Sequence, residues 1–298
     1  MALSARQRRV ARLEAVLDYI DNHPGAALGI DDLAALASIS PYHFHRSLSA
    51  HLREAVSAYI RRRTLERAAS QLALGDASVT ECSSSAGYST SSAFARAFRR
   101  HFGLSPRALA ARLRQRRTQY QPYLPNGGEP RQMPPTTVVV ARRYGPYEDA
   151  APAAWQALSA ALGVGGGERS PGIGLVADSR ELTAPTVRRF EACSPSLPTV
   201  MPATALLRSL AGGEYWMFRF HGTQRELGLA HEALRWSWPG TSAYRARALP
   251  ALHHIDSMTD AGAGTRPFTA EIWLPVERIG AVRAPQKSFP VTDLYAGR

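Results

Sequence analysis

Two stretches in the first third of the chain share one pattern: Leu33 to Leu48, and Cys82 to Phe98. Each fits a short helix, a tight turn and a second helix. In the first, Asp31 and Asp32 suit a helix start, where carboxylates cap free N–H groups and meet the positive dipole end. Leu33, Leu36 and Ala37 form an apolar stripe, and Ala34 is small enough for a second helix to cross close above it. Ser38-Ile39 is the turn, with Ile39 as a core plug. Ser40-Pro41 restarts a helix, Ser at the N-cap and Pro at the first helical position. Phe44 and Leu48, four apart, face inward, while Tyr42, His45, Arg46 and Ser49 share the other face. A polar face beginning at the helix N-terminus is what major-groove reading requires. One such unit alone is equally an ordinary helical hairpin with a solvated face.

The second copy changes that balance. Gly87 takes the turn position, where a left-handed backbone is easiest. Phe94 and Phe98 repeat the Phe44/Leu48 pair, with one extra residue at Ala93. Ser91, Ser92, Ala95, Arg96 and Arg99 form the outward face. Two serines and an alanine touch phosphates or thymine methyls but encode little alone, so Arg96 is the expected base or phosphate contact. Between the units, Val56 to Leu74 is amphipathic, with Ala58, Ile60, Leu65, Ala68, Ala69 and Leu72 at its apolar positions. Arg61, Arg62 and Arg63 either lie near a phosphate backbone or are simply solvated. A rigid helix here sets the spacing of two reading heads, and successive major-groove entries lie about 34 Å apart. The formal net charge is +12, carried almost wholly by arginine, with Lys287 the only lysine. Such a charge suits a polyanion, and two tandem units on it point to double-stranded DNA. Arg99 to Arg117 contains no acidic residue, which reads as a basic tail or as phosphate contact.

At 298 residues, 45% of them hydrophobic, the chain allows about two domains with sizeable cores. No run approaches the ~20 apolar residues of a membrane span, and Met1 to Arg6 lacks the apolar core of a signal peptide. The expected location is cytoplasmic, at the nucleoid, with no membrane partner. Cys82 and Cys193 are isolated, which gives neither a disulfide framework nor a metal cluster; they read as buried small residues. Prolines and glycines from Gln115 to Pro135 read as a linker. This divides the chain into domains at 1–114 and 136–298, joined by 115–135.

After the linker the pattern becomes strand-like at Thr136 to Ala141, then helical around Trp155 and Leu158. Gly163 to Gly167 break that helix, and strands follow at Ile173 to Val176 and Val187 to Ala192. The same order recurs. Glu214 to Phe220 is a strand, His221-Gly222-Thr223 repeats the turn at Gly145, and Leu227 to Trp236 is a helix. Leu249 to Ile255 and Phe268 to Val276 complete the set.

From Ile30 to Leu113 the chain resembles the AraC/XylS family of transcription regulators. The resemblance is carried by Leu33-Ala34, Ser40-Pro41-x-x-Phe44, Tyr59-Ile60-x-x-x-Arg63, Leu65-x-x-Ala68, Gly87-Tyr88-Ser89, Phe94-x-x-x-Phe98 and Phe102-Gly103-Leu104-Ser105-Pro106. It implies a helical domain with two reading helices, and DNA contacts at Tyr42, His45 and Arg46 and at Ser91, Ser92, Ala95 and Arg96. Cys82 and Ser83 depart from the family's usual larger aliphatic residue and alanine. Ser83-Ser84-Ser85 is a poor helix former, so a less stable second unit is expected.

Residues 136–277 resemble the GyrI-like effector-binding domain, also found in SbmC-type proteins and multidrug-responsive regulators. The matching segments are Arg143 to Glu148, Phe218 to Gly222 and Thr269 to Val276. The resemblance implies an α+β pseudo-twofold domain with a ligand groove between its halves, lined by Tyr147, Trp155, Trp216, Phe218 and Trp273. For each aromatic the competing reading is core packing, and Trp236 and Trp238 read as packing residues. Where the family often has a glutamate that meets ligand cations, this chain has His253, which hydrogen-bonds or switches with pH. Glu191 or Glu271 is then the candidate for the absent carboxylate. His253 and His254 do not make a metal site, since neighbouring strand residues point to opposite faces.

The expected molecule is therefore an all-α double helix-turn-helix domain followed by an α+β GyrI-like domain. Its partners are promoter DNA, a small aromatic organic effector and RNA polymerase, and it activates transcription with no cofactor or metal. Two other readings of the second domain compete: a small-molecule hydrolase, against which stands the lack of a paired acid and base or nucleophile motif, and a ligand-free protein-interaction module.

Overall fold

The computed structural model describes residues 5–22, 29–75, 77–164, 170–196, 206–210, 212–238, 240–241, 243–247, 250–258, 261 and 266–279. Part of the expected Gly163–Gly167 break, Leu249, Lys287 and the end of the second domain lie outside the described residues. The chain divides into two compact units: a helical one over Arg12–Gln121 with Glu181–Thr183, and a sheet-containing one that takes in the described residues up to Ala11, Pro122–Arg180 and the described residues from Ala184 onward.

The helical part runs α1 (Ala5–Asn22), α2 (Ile30–Leu36), α3 (Pro41–Leu52), α4 (Val56–Leu74), α5 (Val79–Ser85), α6 (Ser91–Phe102) and α7 (Pro106–Tyr120). Leu13, Val16, Leu17 and Ile20 of α1 pack against Leu33, Ala34, Phe44, Leu48, Leu52 and Tyr59. Ser38 makes the first turn with a left-handed backbone (φ 52°), and Ile39 packs half-buried against that core. Ser40 stands at the N-cap of α3, but its hydroxyl makes no cap bond; its carbonyl accepts from the Phe44 N–H at 2.8 Å. In the second unit Gly87 (φ 77°) makes the turn, and Thr90 caps α6 by accepting from the Ala93 N–H at 3.1 Å.

The serine run in α5 is helical because its start is capped twice. Ser78 Oγ accepts from the Glu81 N–H at 3.2 Å, and the Glu81 carboxylate accepts from the Ser78 N–H at 2.7 Å. Three serines cost on the order of 1 kcal/mol relative to alanine, and one good cap contributes about 1 kcal/mol, so the two nearly cancel. Cys82 and Ser83 are buried in the helical packing.

Two expectations for α4 need correction. Ala58 is exposed rather than apolar core. Of the three arginines, only Arg61 is exposed. Arg62 is buried and pairs with Glu54 at 2.7 Å and Glu66 at 3.2 Å. Arg63 pairs with Asp21 at 2.8 Å and Glu66 at 3.2 Å. Asp21 also accepts from the buried Tyr59 hydroxyl at 2.7 Å. These arginines meet carboxylates inside the fold, neither phosphate nor bulk water, because helical periodicity turns them toward α1 and the α3–α4 turn.

The second part holds β1 (Glu129–Met133), β2 (Thr136–Tyr144), α8 (Tyr147–Leu162), β3 (Gly172–Val176), β4 (Arg189–Ser194), β5 (Leu206–Leu210), β6 (Gly213–Gly222), α9 (Gln224–Ser237), β7 (Tyr244–Ala246), β8 (Ala251–Ile255) and β9 (Phe268–Arg278). The strands form one antiparallel sheet in the order β1-β6-β9-β8-β3-β4-β2-β5, with β7 on β9. Residues 115–135 are therefore not all linker: α7 continues to Tyr120, a 3-10 turn covers Gln121–Tyr123, and β1 pairs with β6. β1 lies at the sheet edge, where Pro130 and its missing N–H are tolerated, which is why proline content concealed a strand. β5 and β7 are likewise additions to the expected set.

Alternation splits the sheet residues into two apolar layers. Val139, Ala141, Phe190, Ala192, Phe218, Ala251, Ile255, Ile272 and Leu274 pack with Trp155 and Leu158 of α8 and Leu227 and Leu234 of α9. Val138, Val140, Ile173, Leu175, Cys193, Tyr215 and Leu252 form the other layer. Trp155 lies against β3, where a Cβ on Gly172 would come within 2.7 Å of its ring and one on Gly174 within 3.3 Å. The glycines of β3 are thus the counterpart of a buried indole. Replacing Ser78 with Ala is expected to destabilise the helical unit by about 1 kcal/mol, read by urea denaturation with far-UV circular dichroism; an unchanged midpoint would remove the capping box from this account.

Candidate nucleic-acid interface and ligand pocket

Each candidate reading helix is held by a buried pair and shows a polar face to solvent. In α3, Phe44 and Leu48 are fully buried while Tyr42 is 71% exposed, and His45 and Arg46 are exposed. Ser49, expected on that face, is half-buried with its hydroxyl out of water. In α6, Phe94 and Phe98 are fully buried, Ser91, Ser92, Arg96 and Arg99 are exposed, and Ala95 is half-buried at the edge. Arg99 and Arg100 stand in the last turn of α6 and Arg107, Arg112, Arg114 and Arg117 along α7, all exposed. The basic stretch is helical over most of its length, not a tail. In chemical terms α3 offers a phenol, an imidazole and a guanidinium to base edges, while α6 offers hydroxyls and guanidinium groups suited to phosphate.

The pocket of the second unit lies beneath α9, lined by Tyr147, Val176, Arg180, Phe190, Gln224, Gly228, His231, Glu232 and His253. Tyr147 is buried and donates its hydroxyl proton to the Asp178 carbonyl at 2.6 Å. The Arg180 guanidinium sits over the Tyr147 ring, 5.4 Å from its centroid, and pairs with Glu148. His231 Nδ1 and His253 Nε2 are 2.9 Å apart and buried. Phe190, Arg180, Gln224 and His231 were not foreseen. The polar side chains of α9 on its inner face were the available signal, since Gln224, Gly228 and His231 recur at helical spacing.

The expected aromatic groove is only partly assembled. Tyr147 and His253 line the pocket; Trp155 lies in the core beside Phe190, ring centroids 5.8 Å apart. Phe218 belongs to the same core layer but, with Trp216 at its margin, packs on Trp238, at 6.0 and 5.9 Å between centroids, and neither lines the pocket. Trp273 lies on the other sheet face, stacked on His254 at 4.2 Å, with its indole N–H donating to Glu271 at 2.8 Å. The register explains the split: Met217 pairs with Trp273 and Phe218 with Ile272, so Trp273 and Phe218 cannot share a face. Neither acidic candidate reaches the pocket. Glu271 lies beside Trp273, and Glu191 is buried between Arg142 at 2.6 Å and Arg208 at 2.5 Å on the same far face.

Among the described residues there is no group of three or more His, Cys, Asp or Glu fit to hold a metal, and no helix is long and apolar enough to cross a membrane. A helix-turn-helix domain family matches residues 33–112, and a GyrI-like small molecule binding domain family matches residues 129–277. The HTH-type transcriptional activator RhaS of Escherichia fergusonii is 32% identical over 99 residues, which are 33% of this chain and only 36% of RhaS. The regulatory protein SoxS of Salmonella typhimurium is 28% identical over 94 residues, 32% of this chain and 88% of SoxS. The crystal structure of the EcmrR C-terminal domain is similar at 14% identity over 51% of this chain and 98% of its own, with a TM-score of 0.37.

Burial holds the pocket histidines neutral. It pushes His231 well below the usual imidazole range and His253 down to about 3, with the neighbouring His254 and Arg180 adding to the effect on His253. The folded chain thus refuses protons that the unfolded chain accepts below the ordinary value of 6.5. The His253 contribution to stability is complete above pH 6.5 and is lost as pH falls toward about 3, and that of His231 is lost in the same direction. Thermal unfolding at steps between pH 7 and pH 4 is expected to show His253→Gln losing less stability on acidification than the parent chain. Parallel pH profiles would refute the buried neutral pair.

Proposed function

The chain belongs to the GyrI-like small molecule binding family and joins that domain to an AraC-type helix-turn-helix domain, and from this premise we propose that it is a transcription activator whose hold on promoter DNA is set by a small organic molecule in the pocket beneath α9. The observation that carries the DNA half is the shared build of α3 and α6, each with a buried pair inside and a polar face exposed from its N-terminal turn. Tyr42, His45 and Arg46 read bases; Ser91, Ser92, Ala95, Arg96 and Arg99 hold the second groove, chiefly through phosphate and methyl contacts. DNA binding falls to residues 1–114 and effector binding to the sheet domain, which we take to begin at β1 rather than at residue 136.

The sheet order supports reading that domain as two copies of one unit. β2-α8-β3-β4 and β6-α9-β8-β9 occupy mirrored places about the β3–β8 pair. The effector acts by binding one of two states more tightly, the favoured state being the one that engages DNA and RNA polymerase.

Selection of genomic fragments on the full-length protein is expected to return a defined site spanning two adjacent major grooves. On that site Arg46→Ala should weaken binding by about 1–3 kcal/mol and relax base choice at one position. Arg62→Ala should instead lower thermal stability and leave base choice alone, because it removes an internal ion pair. Unaltered specificity in the Arg46 variant would sink the reading role of α3.

A further inference from the structure

A guanidinium has no lone pair to offer, so where Arg235 Nη2 meets His231 Nε2 at 3.4 Å the imidazole nitrogen accepts. His231 therefore carries its proton on Nδ1 and gives it to His253 Nε2, 2.9 Å away. His253 must then keep its own proton on Nδ1. That N–H is buried, in a side chain of a residue 2% exposed, and it finds no acceptor among the described residues. Leaving a buried donor unmade costs about 1–3 kcal/mol.

The acceptors around it are already engaged. Glu232 takes the Arg180 backbone N–H on one carboxylate oxygen at 3.0 Å and the Trp236 indole on the other at 2.8 Å. The Asp178 carboxylate accepts from the Arg189 N–H at 2.8 Å, and Glu148 is held by Arg180. Tyr147 spends its hydroxyl proton on the Asp178 carbonyl. Arg180 supplies a second spare donor, a buried Nε–H without an acceptor among the described residues. Its guanidinium lies so close to α9 at Gly228 that a Cβ there would collide with it. Gln224 Oε1 is also buried without a partner among the described residues, and its amide can present either end to a ligand. Tyr147, Val176 and Phe190 supply the apolar lining. The enclosed part is little larger than a water molecule, and the cleft's volume of about 260 Å³ includes space open to solvent. A ligand placed here meets the two spare donors, while both oxygens of Glu232, the carboxylate in the lining, already accept from N–H groups.

We propose that this pocket takes the carboxylate end of a small organic anion, its anionic oxygens accepting from His253 Nδ1–H and Arg180 Nε–H while the rest of the molecule lies toward the open side of the cleft. The inference rests on the effector-binding reading above and assigns the ligand's chemical class. Both donors act on a carboxylate in a site sheltered from water, where charge-assisted bonds are strongest.

Titration calorimetry of the full-length protein with benzoate, benzamide and benzylammonium tests it. Benzoate is expected to bind, benzamide more weakly, and benzylammonium not at all. His253→Phe, which keeps a flat ring and removes the donor, should weaken benzoate about tenfold or more, and so should Arg180→Met, which leaves the buried histidine pair in place should the first variant fail to fold. Preference for benzylammonium, benzoate binding that survives both substitutions, or no benzoate binding at about 10 mM would overturn the inference. Those outcomes leave control by some other small molecule standing. If benzoate binds as described but DNA affinity is the same with and without it, the pocket's chemistry holds and the regulatory reading falls for this ligand class.

Discussion

A pleated strand sends neighbouring side chains to opposite faces, and in β8 this puts His253 beneath α9 and His254 against Trp273. The same parity in β9 and β4 carries Glu271, Trp273 and Glu191 to the far face. The polarity of the pocket follows from that single geometric rule. The side of the sheet that meets the helices keeps the histidine pair, the Arg180 guanidinium and the Glu232 carboxylate, while Glu191 and Glu271 are on the other side.

Charge in this protein is divided between outside and inside. The net charge of +12 invites a purely electrostatic account of DNA binding, yet Arg62, Arg63, Arg142, Arg189 and Arg208 are taken up by buried or half-buried carboxylates. Removing one partner of such a pair costs about 3–5 kcal/mol, since the other is left charged in a poor dielectric. Exposed arginines stand on several helices, among them Arg46 on α3, Arg61 on α4 and a group on α6 and α7. The largest group lies in the second helix-turn-helix unit and the helix after it, where the outward face of α6 otherwise carries serines and an alanine. The first unit carries a richer hydrogen-bonding face on fewer charges.

The two helix-turn-helix units also reach their geometry by different local means. One relies on a strained non-glycine turn at Ser38 and on Pro41 at the helix start. The other relies on Gly87, Thr90 and the Ser78–Glu81 capping box. Side-chain caps in the second unit offset the weak propensity of its serines, so sequence composition alone understated how well α5 is held.

Sequence by itself determined the helix-turn-helix pairs, the buried Phe44/Leu48 and Phe94/Phe98 positions, the exposed faces of α3 and α6, and the repeated strand-helix order after residue 136. Those features are written in local period and capping chemistry, which act over a few residues. The resemblance to the GyrI-like domain also implied that the imidazole of His253 stands at a position where that family often has a glutamate. Only the tertiary structure decided that Pro130 lies in an edge strand, that Arg62 and Arg63 point inward, and that Trp155, Trp216 and Trp273 occupy three different surroundings. It also brought His231 to His253 across 22 positions. Such juxtapositions depend on strand register and on which helix covers which face, and these are settled by long-range burial rather than by any local signal in the chain.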